Sequence, residues 1–294
     1  MSEYKFEWNA EGRHLYIREP KSDVEYHEIE DIQREAWGFN DLDIVPSAHI
    51  VAADHAGGVT LCAFEDERMI GFVYGFPAHE HGHVAIHSHM LAVRSQYRSL
   101  RAGVYLKLAQ RERTLEHGIE EMTWTFDPLQ SLNANLNFSR LGVISNRYLV
   151  NFYGETSSSP LHQGFGTDRL WVSWLLASDR VKARVALYDN PESKVTESKP
   201  RSSIAEEGAS ILVSASNDKP EIGDLGTGLS GESCLIEIPQ SITSIKSREP
   251  QTAALWREAT REAFSAALKA GFTVDDFIKI EESPSARWFY LLKR

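Results

Sequence analysis

Apolar positions along the N-terminal half switch between helical and strand spacing, which predicts alternating helices and strands. Residues 23–37 open on Asp23, a capping-type residue, and carry Val24, Ile29, Ile32 and Trp37 close to helical spacing. Two apolar runs at 59–67 and 69–76, parted by a few charged residues, predict a hairpin of strands. The mostly apolar run 86–93 predicts a central strand. Val104, Leu108 and Leu115 form one stripe of a helix over 104–117, with Gly118 placed to close it. A strand at 122–128 stops at Pro128, a short helix at 132–142 closes on Gly142, and further strands are predicted at 147–154 and 168–176.

The pattern breaks at residue 189. Segment 189–210 is rich in Ser, Glu, Lys and Pro with few apolar anchors, 211–215 is a candidate strand, and 216–233 is again loop-like. Beyond it come a strand at 234–239, a strong helix at 251–270 around Trp256, Ala259, Ala263 and Ala267, and strands at 272–280 and 287–292. The chain is therefore read as a first domain over 1–188, a linker or long loop over 189–232, and a smaller C-terminal region over 233–294. The order strand, helix, Gly plus hydrophobe, strand, strand occurs at 122–176 and again at 234–292. Leu141-Gly142-Val143 corresponds to Ala270-Gly271-Phe272, which reads as a partial structural duplication. The plainer alternative is coincidence, because αβ units commonly end in Gly plus a hydrophobe.

With 294 residues, 42% of them hydrophobic, the chain can bury a sizeable core. A formal net charge of −11 argues against a whole-protein nucleic-acid or anionic-membrane binder, since phosphates are repelled on average. Cys62 and Cys234 are the only cysteines, too few for a disulfide framework or a cysteine zinc cage. Residues 1–14 are charged and lack an apolar h-region, so no secretory signal is read there, and no run reaches the length of a bilayer span. The expectation is a soluble cytoplasmic protein.

Against this acidic background, Arg94, Arg98, Arg101, Lys107, Arg111 and Arg113 crowd a twenty-residue stretch that holds one acid, Glu112. A strand that turns tightly into a helix N-terminus aims unpaired backbone N–H groups at one spot. With the helix dipole and arginines this makes a phosphate site; a solvated basic helix face is the bland alternative.

The segment LAVRSQYRSLRAGVYLKLAQRERTLEHG resembles motif A of the GNAT superfamily, the acyl-CoA-dependent N-acyltransferases. Arg98-Ser99-Leu100-Arg101-Ala102-Gly103 matches the family's Arg/Gln-x-x-Gly-x-Gly/Ala at the first basic position and the last glycine, and departs at Arg101, where the family has Gly. Asn133 to Phe138 followed by Leu141-Gly142-Val143 resembles motif B. Together with HSHMLAV, NFYG and the C-terminal segments, the likeness extends over nearly the whole chain, to a little-characterised branch of about this length. The resemblance implies a GNAT fold: α/β (α+β), a mixed, mostly antiparallel twisted sheet flanked by helices, here with a smaller half-GNAT-like C-terminal region.

The resemblance also implies a V-shaped cleft where the strand before motif A splays from the next. Leu91, Ala92 and Val93 would then give backbone hydrogen bonds to pantetheine and the thioester carbonyl, and fixed donors of that kind stabilise an oxyanion. Arg98, Ser99, Leu100, Arg101, Ala102, Gly103 and Val104 would hold the pyrophosphate, and Asn133 the coenzyme arm. At Arg101, either the turn accepts a negative φ with the side chain outside, or pyrophosphate binding is altered.

The attacking amine must lose a proton, so a base is needed. His87 and His89 lie on the motif A strand, where plain alternation puts them with Leu91 on one face and Ser88, Met90 and Ala92 on the other. Imidazole titrates near neutrality, so either is a candidate base, the alternative being a hydrogen-bonded core histidine. Asp127, after the WTF strand, competes, with turn formation before Pro128 as its ordinary role. Phe138 stands where many GNAT enzymes keep a tyrosine that protonates the thiolate; either Tyr153 or Tyr105 substitutes, or the thiolate leaves unprotonated. His79, His81, His83, His87 and His89 invite a metal reading, but their two-residue spacing and the lack of a fourth ligand favour a solvent-exposed hairpin and no metal. Trp171, Trp174, Trp256 and Trp288 read as core.

The expected function is transfer of an acetyl, succinyl or similar group from acetyl-CoA or another acyl-CoA to a primary amine, a small molecule or amino acid. No nucleic acid, membrane or metal is expected, and the resemblance allows a homodimer through terminal strands. The alternative is a non-catalytic CoA-binding or regulatory module, favoured by Arg101 and Phe138.

Overall fold

The computed structural model describes residues 6–154, 165–188, 208–282 and 285–294. The chain opens with a hairpin of β1 (Phe6–Ala10) and β2 (Arg13–Arg18), turned by Glu11 and Gly12 at positive φ. Helix α1 (Asp23–Trp37) is capped not by Asp23 but by Ser22, whose hydroxyl accepts from the Glu25 N–H; Asp23 sits in the first turn, where its charge suits the helix dipole. α2 (Ser47–His55), β3 (Val59–Glu65), β4 (Arg68–Glu80) and β5 (His83–Val93) follow. A 3-10 turn (Ser95–Leu100) leads into α3 (Ala102–Glu116). Next are β6 (Glu121–Phe126), the single turn α4 (Ser131–Ala134) and a π-helical turn (Asn135–Leu141). β7 (Ile144–Leu149), β8 (Arg169–Leu175) and α5 (Asp179–Val185) complete the first half. The strand expected at 147–154 thus starts earlier and stops at Leu149, because Asn151 takes a positive φ and turns the chain.

Part of the segment read as a loop over 189–232 is folded. β9 (Ser210–Ser216), β10 (Lys219–Ile222) and α6 (Leu225–Gly228) lie inside it, while 189–207 falls outside the described residues. Leu212 and Val213 of β9 are fully buried, so two or three apolar residues suffice to anchor a strand beside an existing sheet. β11 (Ser233–Ile238), α7 (Ile242–Arg248), α8 (Pro250–Lys269), β12 (Thr273–Glu282) and β13 (Ser285–Lys293) finish the chain.

All thirteen strands join one sheet, in the order β1-β2-β3-β4-β5-β6-β8-β7-β12-β13-β11-β9-β10. Pairing is antiparallel except at β5–β6 and β9–β11. α1 and α2 cover one face through Ile29, Ile32 and Ile50 against Phe64, Phe72, Met90 and Ala92. α3 covers the other face through Val104 and Leu108, in the cluster that holds Ile70, Val73 and Val93.

The order β6-β8-β7 has a counterpart in β11-β13-β12, each with helix between its first and second strands in the chain. Gly142 and Gly271 both close their helices in the left-handed region. The two units meet where Val274 of β12 pairs Ser145 of β7. Arg180–Asp275 (2.8 Å), Arg184–Asp276 (3.1 Å) and the Ser139 hydroxyl on the Phe277 carbonyl tie them further. No second strand-turn-helix of the α3 kind follows β9, whose place is taken by β10 and α6.

Candidate active site

β5 and β6 run parallel but pair only at Ile86–Met122 and His87–Thr123. Beyond that point β6 stays with β8 as far as Phe126, and β5 stays with β4 as far as Val93. The facing edges of 88–93 and 124–126 therefore leave the ladder, and a V opens with its apex at His87. Backbone groups along such an edge need partners, and an extended amide chain can supply them as an added strand does. Leu91, Ala92 and Val93 lie along the open arm.

A β-bulge reshapes this strand. Register steps from Tyr74–Met90 to Gly75–Ser88, leaving His89 as the extra residue. Plain alternation is thereby broken. Met90 and Ala92 pack on the α1–α2 face, whereas Ser88 and Ile86, expected beside them, turn to the α3 side. His87 and His89 share a face, but not with Leu91, which packs in the α3-side cluster. Opposite the bulge, a Cβ on Gly75 would lie 2.8 Å from Ile86 Cγ2 and 3.1 Å from the His87 carbonyl oxygen, so glycine is what permits the approach.

His87 sits at the apex, buried, its Nδ1 3.0 Å from Thr123 Oγ1 and its ring 4.8 Å from Trp171 and 5.4 Å from Phe76. Burial first, then His89, Lys107 and Arg147, push its pKa down to about 4. It is a neutral imidazole at pH 7; with Nδ1–H donating to Thr123, Nε2 is left as a proton acceptor. His89, half-buried, lies edge-on to Tyr74 at 6.3 Å, and its pKa is lowered by burial and by His49 on α2. The Tyr74 hydroxyl beside them is buried with no hydrogen-bond partner. Of the other histidines in the run, His83 is taken by Glu121 (2.7 Å) and His81 lies in the β4–β5 turn at φ 48°.

The depressed His87 pKa carries a stability consequence. The unfolded chain takes up its proton near pH 6.5 and the folded chain only near 4, so the contribution is complete above pH 6.5 and is lost as pH falls toward 4. Urea titrations should show about 3 kcal/mol of extra acid destabilisation across that window, absent from His87→Phe. An identical pH slope in the variant would contradict it.

At the mouth of the V, the 3-10 turn and Arg101 deliver α3. Arg101 takes φ 60°, ψ 14°, the left-handed conformation a glycine would adopt, and not the negative φ considered from sequence. Holding a non-glycine residue there costs about 1–2 kcal/mol. The turn therefore keeps its shape, with the exposed guanidinium added. Gly103 brings α3 close to β5, since a Cβ there would touch Leu91 Cδ2 at 3.5 Å. Ser99 is exposed beside Arg98, Ala102 and Val104 are buried in the first turn, and Leu100 is core, its carbonyl accepting from Trp8 Nε1.

The cationic island is smaller than the residue count suggests. Arg94 pairs with Glu28 and Glu35, Arg113 with Glu19 and Glu116, and Arg111 donates to the Leu176 carbonyl. Lys107 is buried and turned away from the mouth. Arg98 and Arg101 remain exposed at the turn, with Arg98 Nε 3.4 Å from the Val93 carbonyl oxygen.

The remaining expected site residues separate. Asp127 lies in a buried bidentate pair with Arg257 of α8 at 2.8 and 2.9 Å, and its Oδ1 also accepts from the Leu129 N–H. Arg257 bonds both Asp127 oxygens in the interior, which removes Asp127 as the free base considered from sequence. Asn133 is exposed on α4, whereas Asn137 is buried and accepts from Trp124 Nε1 at 3.3 Å. Phe138 is fully buried against Phe126 and Tyr290. Tyr105 is core, stacked near Trp8 at 4.9 Å, and so is not placed to substitute for it. Tyr153 is half exposed, its hydroxyl 3.3 Å from Thr125 Oγ1 on the open arm of β6.

The splayed parallel pair and the turn into α3 are the arrangement the GNAT resemblance implies; the bulge is an addition to it. No family model matches the chain, and no curated protein matches it. Among solved structures it is similar to the ribosomal-protein-S18-alanine N-acetyltransferase from Escherichia coli, at 12% identity and TM-score 0.45 over 56% of this chain and 95% of that one. It is similar also to an aminoglycoside 6'-acetyltransferase type Ii, at 17% and 0.44 over 55% and 97%. An acetyltransferase of the GNAT family from Streptococcus pneumoniae aligns at 13% and 0.44 over 54% and 98%.

Proposed function

We propose that this chain is an acyl-CoA-dependent N-acyltransferase that moves an acyl group from coenzyme A to a primary amine of a small molecule or amino acid. The observation that carries the reading is the splay of β5 from β6, opening from His87 toward the left-handed turn at Arg101. Pantetheine amides pair with the free edge of Leu91–Val93, and the pyrophosphate meets the α3 N-terminus with Arg98 and Arg101. The amine enters from the α1–α2 side, where His87 Nε2 takes its proton as nitrogen attacks the thioester. Much of the rate gain comes from holding amine and thioester in line. The thiolate leaves toward the open arm, where Tyr153 is the hydroxyl able to protonate it.

Thermal-shift titration with acetyl-CoA, succinyl-CoA and free CoA tests this. A ligand that binds only the folded chain stabilises it by about 2.7 kcal/mol at a hundredfold excess over its dissociation constant. Arg101→Ala should lower CoA affinity about tenfold while leaving the ligand-free midpoint in place. No shift with any of the three ligands would overturn the transferase reading and favour a non-catalytic module, the role that Phe138, sealed in the core without a hydroxyl, would suit.

A further inference from the structure

Lys107, counted from sequence with the cationic stretch, lies buried between the two arms of the V. Its Nζ donates to Ser88 Oγ at 2.6 Å and lies 3.7 Å from the centroid of the Trp124 ring. Ser88 lies next to the apex on the β5 arm, and Trp124 opens the β6 arm. The ammonium thus bridges the two arms at the closed end of the V, on the α3 side. It is 4% exposed.

A buried ammonium normally has an anion beside it. Arg257, also buried, has Asp127 beside it. Lys107 has none among the described residues. The polar group bonded to it is Ser88, whose hydroxyl in turn donates to Gln110 Oε1 at 2.7 Å. Burial without a compensating charge lowers its pKa to about 7. An ammonium has three donors, and one goes to Ser88.

We propose that the acyl group carried by the coenzyme ends in a carboxylate, and that Lys107 receives it. This rests on the transferase reading above. In that reading the coenzyme enters at Arg101–Gly103 and its thioester lies beside Leu91, so the acyl chain points on toward Ser88, at the narrow end. Lys107 is one helical turn past Gly103 on the same side of α3. The far end of a short dicarboxylic half-thioester meets a cation there that has no anionic partner among the described residues. A plain acetyl group would leave the ammonium unpaired. The substrate class is therefore the half-thioester of a short dicarboxylic acid with coenzyme A, of the succinyl or malonyl kind.

Calorimetric titration of the full chain with succinyl-CoA and with butyryl-CoA, which replaces the carboxylate by a methyl group, tests this. Succinyl-CoA should bind at least tenfold more tightly. Lys107→Met, which keeps the length of the side chain, should erase that preference by weakening succinyl-CoA and leaving or tightening butyryl-CoA. The comparison in the unaltered protein stands even if the variant does not fold. Equal affinities there, or a preference that survives Lys107→Met, would overturn the proposal while leaving coenzyme binding intact. Failure of free CoA and both thioesters to bind would instead overturn the transferase reading, and this proposal with it.

Discussion

Arg257→Met is expected to lower unfolding free energy by about 3–5 kcal/mol, the cost of stranding the Asp127 carboxylate in the interior. Both partners are buried, the guanidinium makes both bonds to the carboxylate through one nitrogen, and its face lies 4.5 Å from the Phe165 ring. The pair joins the end of β6 to α8 across 130 residues, so its loss acts on the contact between the two halves of the sheet. Exchanging both residues, Arg257→Met with Asp127→Leu, should recover most of the loss, because a buried pair adds little over apolar packing of similar volume. Urea denaturation of the two single variants and the double variant closes the cycle. Single variants within 1 kcal/mol of the parent would show that water reaches the pair.

His87→Ala is expected to cut kcat by about 10²–10⁴-fold, the usual range for removal of a positioned base, with acyl-CoA affinity unchanged. The imidazole touches Thr123, Phe76, Trp171 and His89 and none of the turn residues at the mouth, so binding and proton transfer separate in the measurement. His87 itself should contribute no limb to the pH profile between pH 8 and pH 6, since the ring remains neutral until pH approaches 4. A limb near pH 6 that disappears in His89→Ala would transfer the role to the half-buried neighbour at the bulge.

Much of this fold is legible in the residue pattern. The β3–β4 hairpin, α3 and α8 follow from apolar spacing and a closing glycine, because helix and strand periods are local properties. The β1–β2 hairpin was equally legible and was missed: Trp8, Leu15 and Ile17 alternate with more exposed neighbours around Glu11-Gly12. The bulge at His89 was not, since it depends on how β4 passes Gly75. Charge counting failed at the turn for a related reason. Arg94 finds Glu28 and Glu35 on a helix some sixty residues earlier, and Asp127 finds Arg257 far later, contacts no local window contains. Lys107 leaves a trace, a cation three residues beyond Val104 beside the apolar stripe of α3, although the count of basic residues places it in the cationic island.

Where β7 would otherwise end the first half of the sheet, Ser145 is already paired with Val274, and Tyr148 is stacked on Phe264 of α8 at 5.4 Å. The edge that a second chain would have to find by diffusion is met from within. Because the two halves share one backbone, their docking is governed by an effective concentration set by the connection, and dilution cannot separate them. An edge-to-edge pair of separate chains would lose stability as it is diluted. Here the melting midpoint carries no such dependence from this seam.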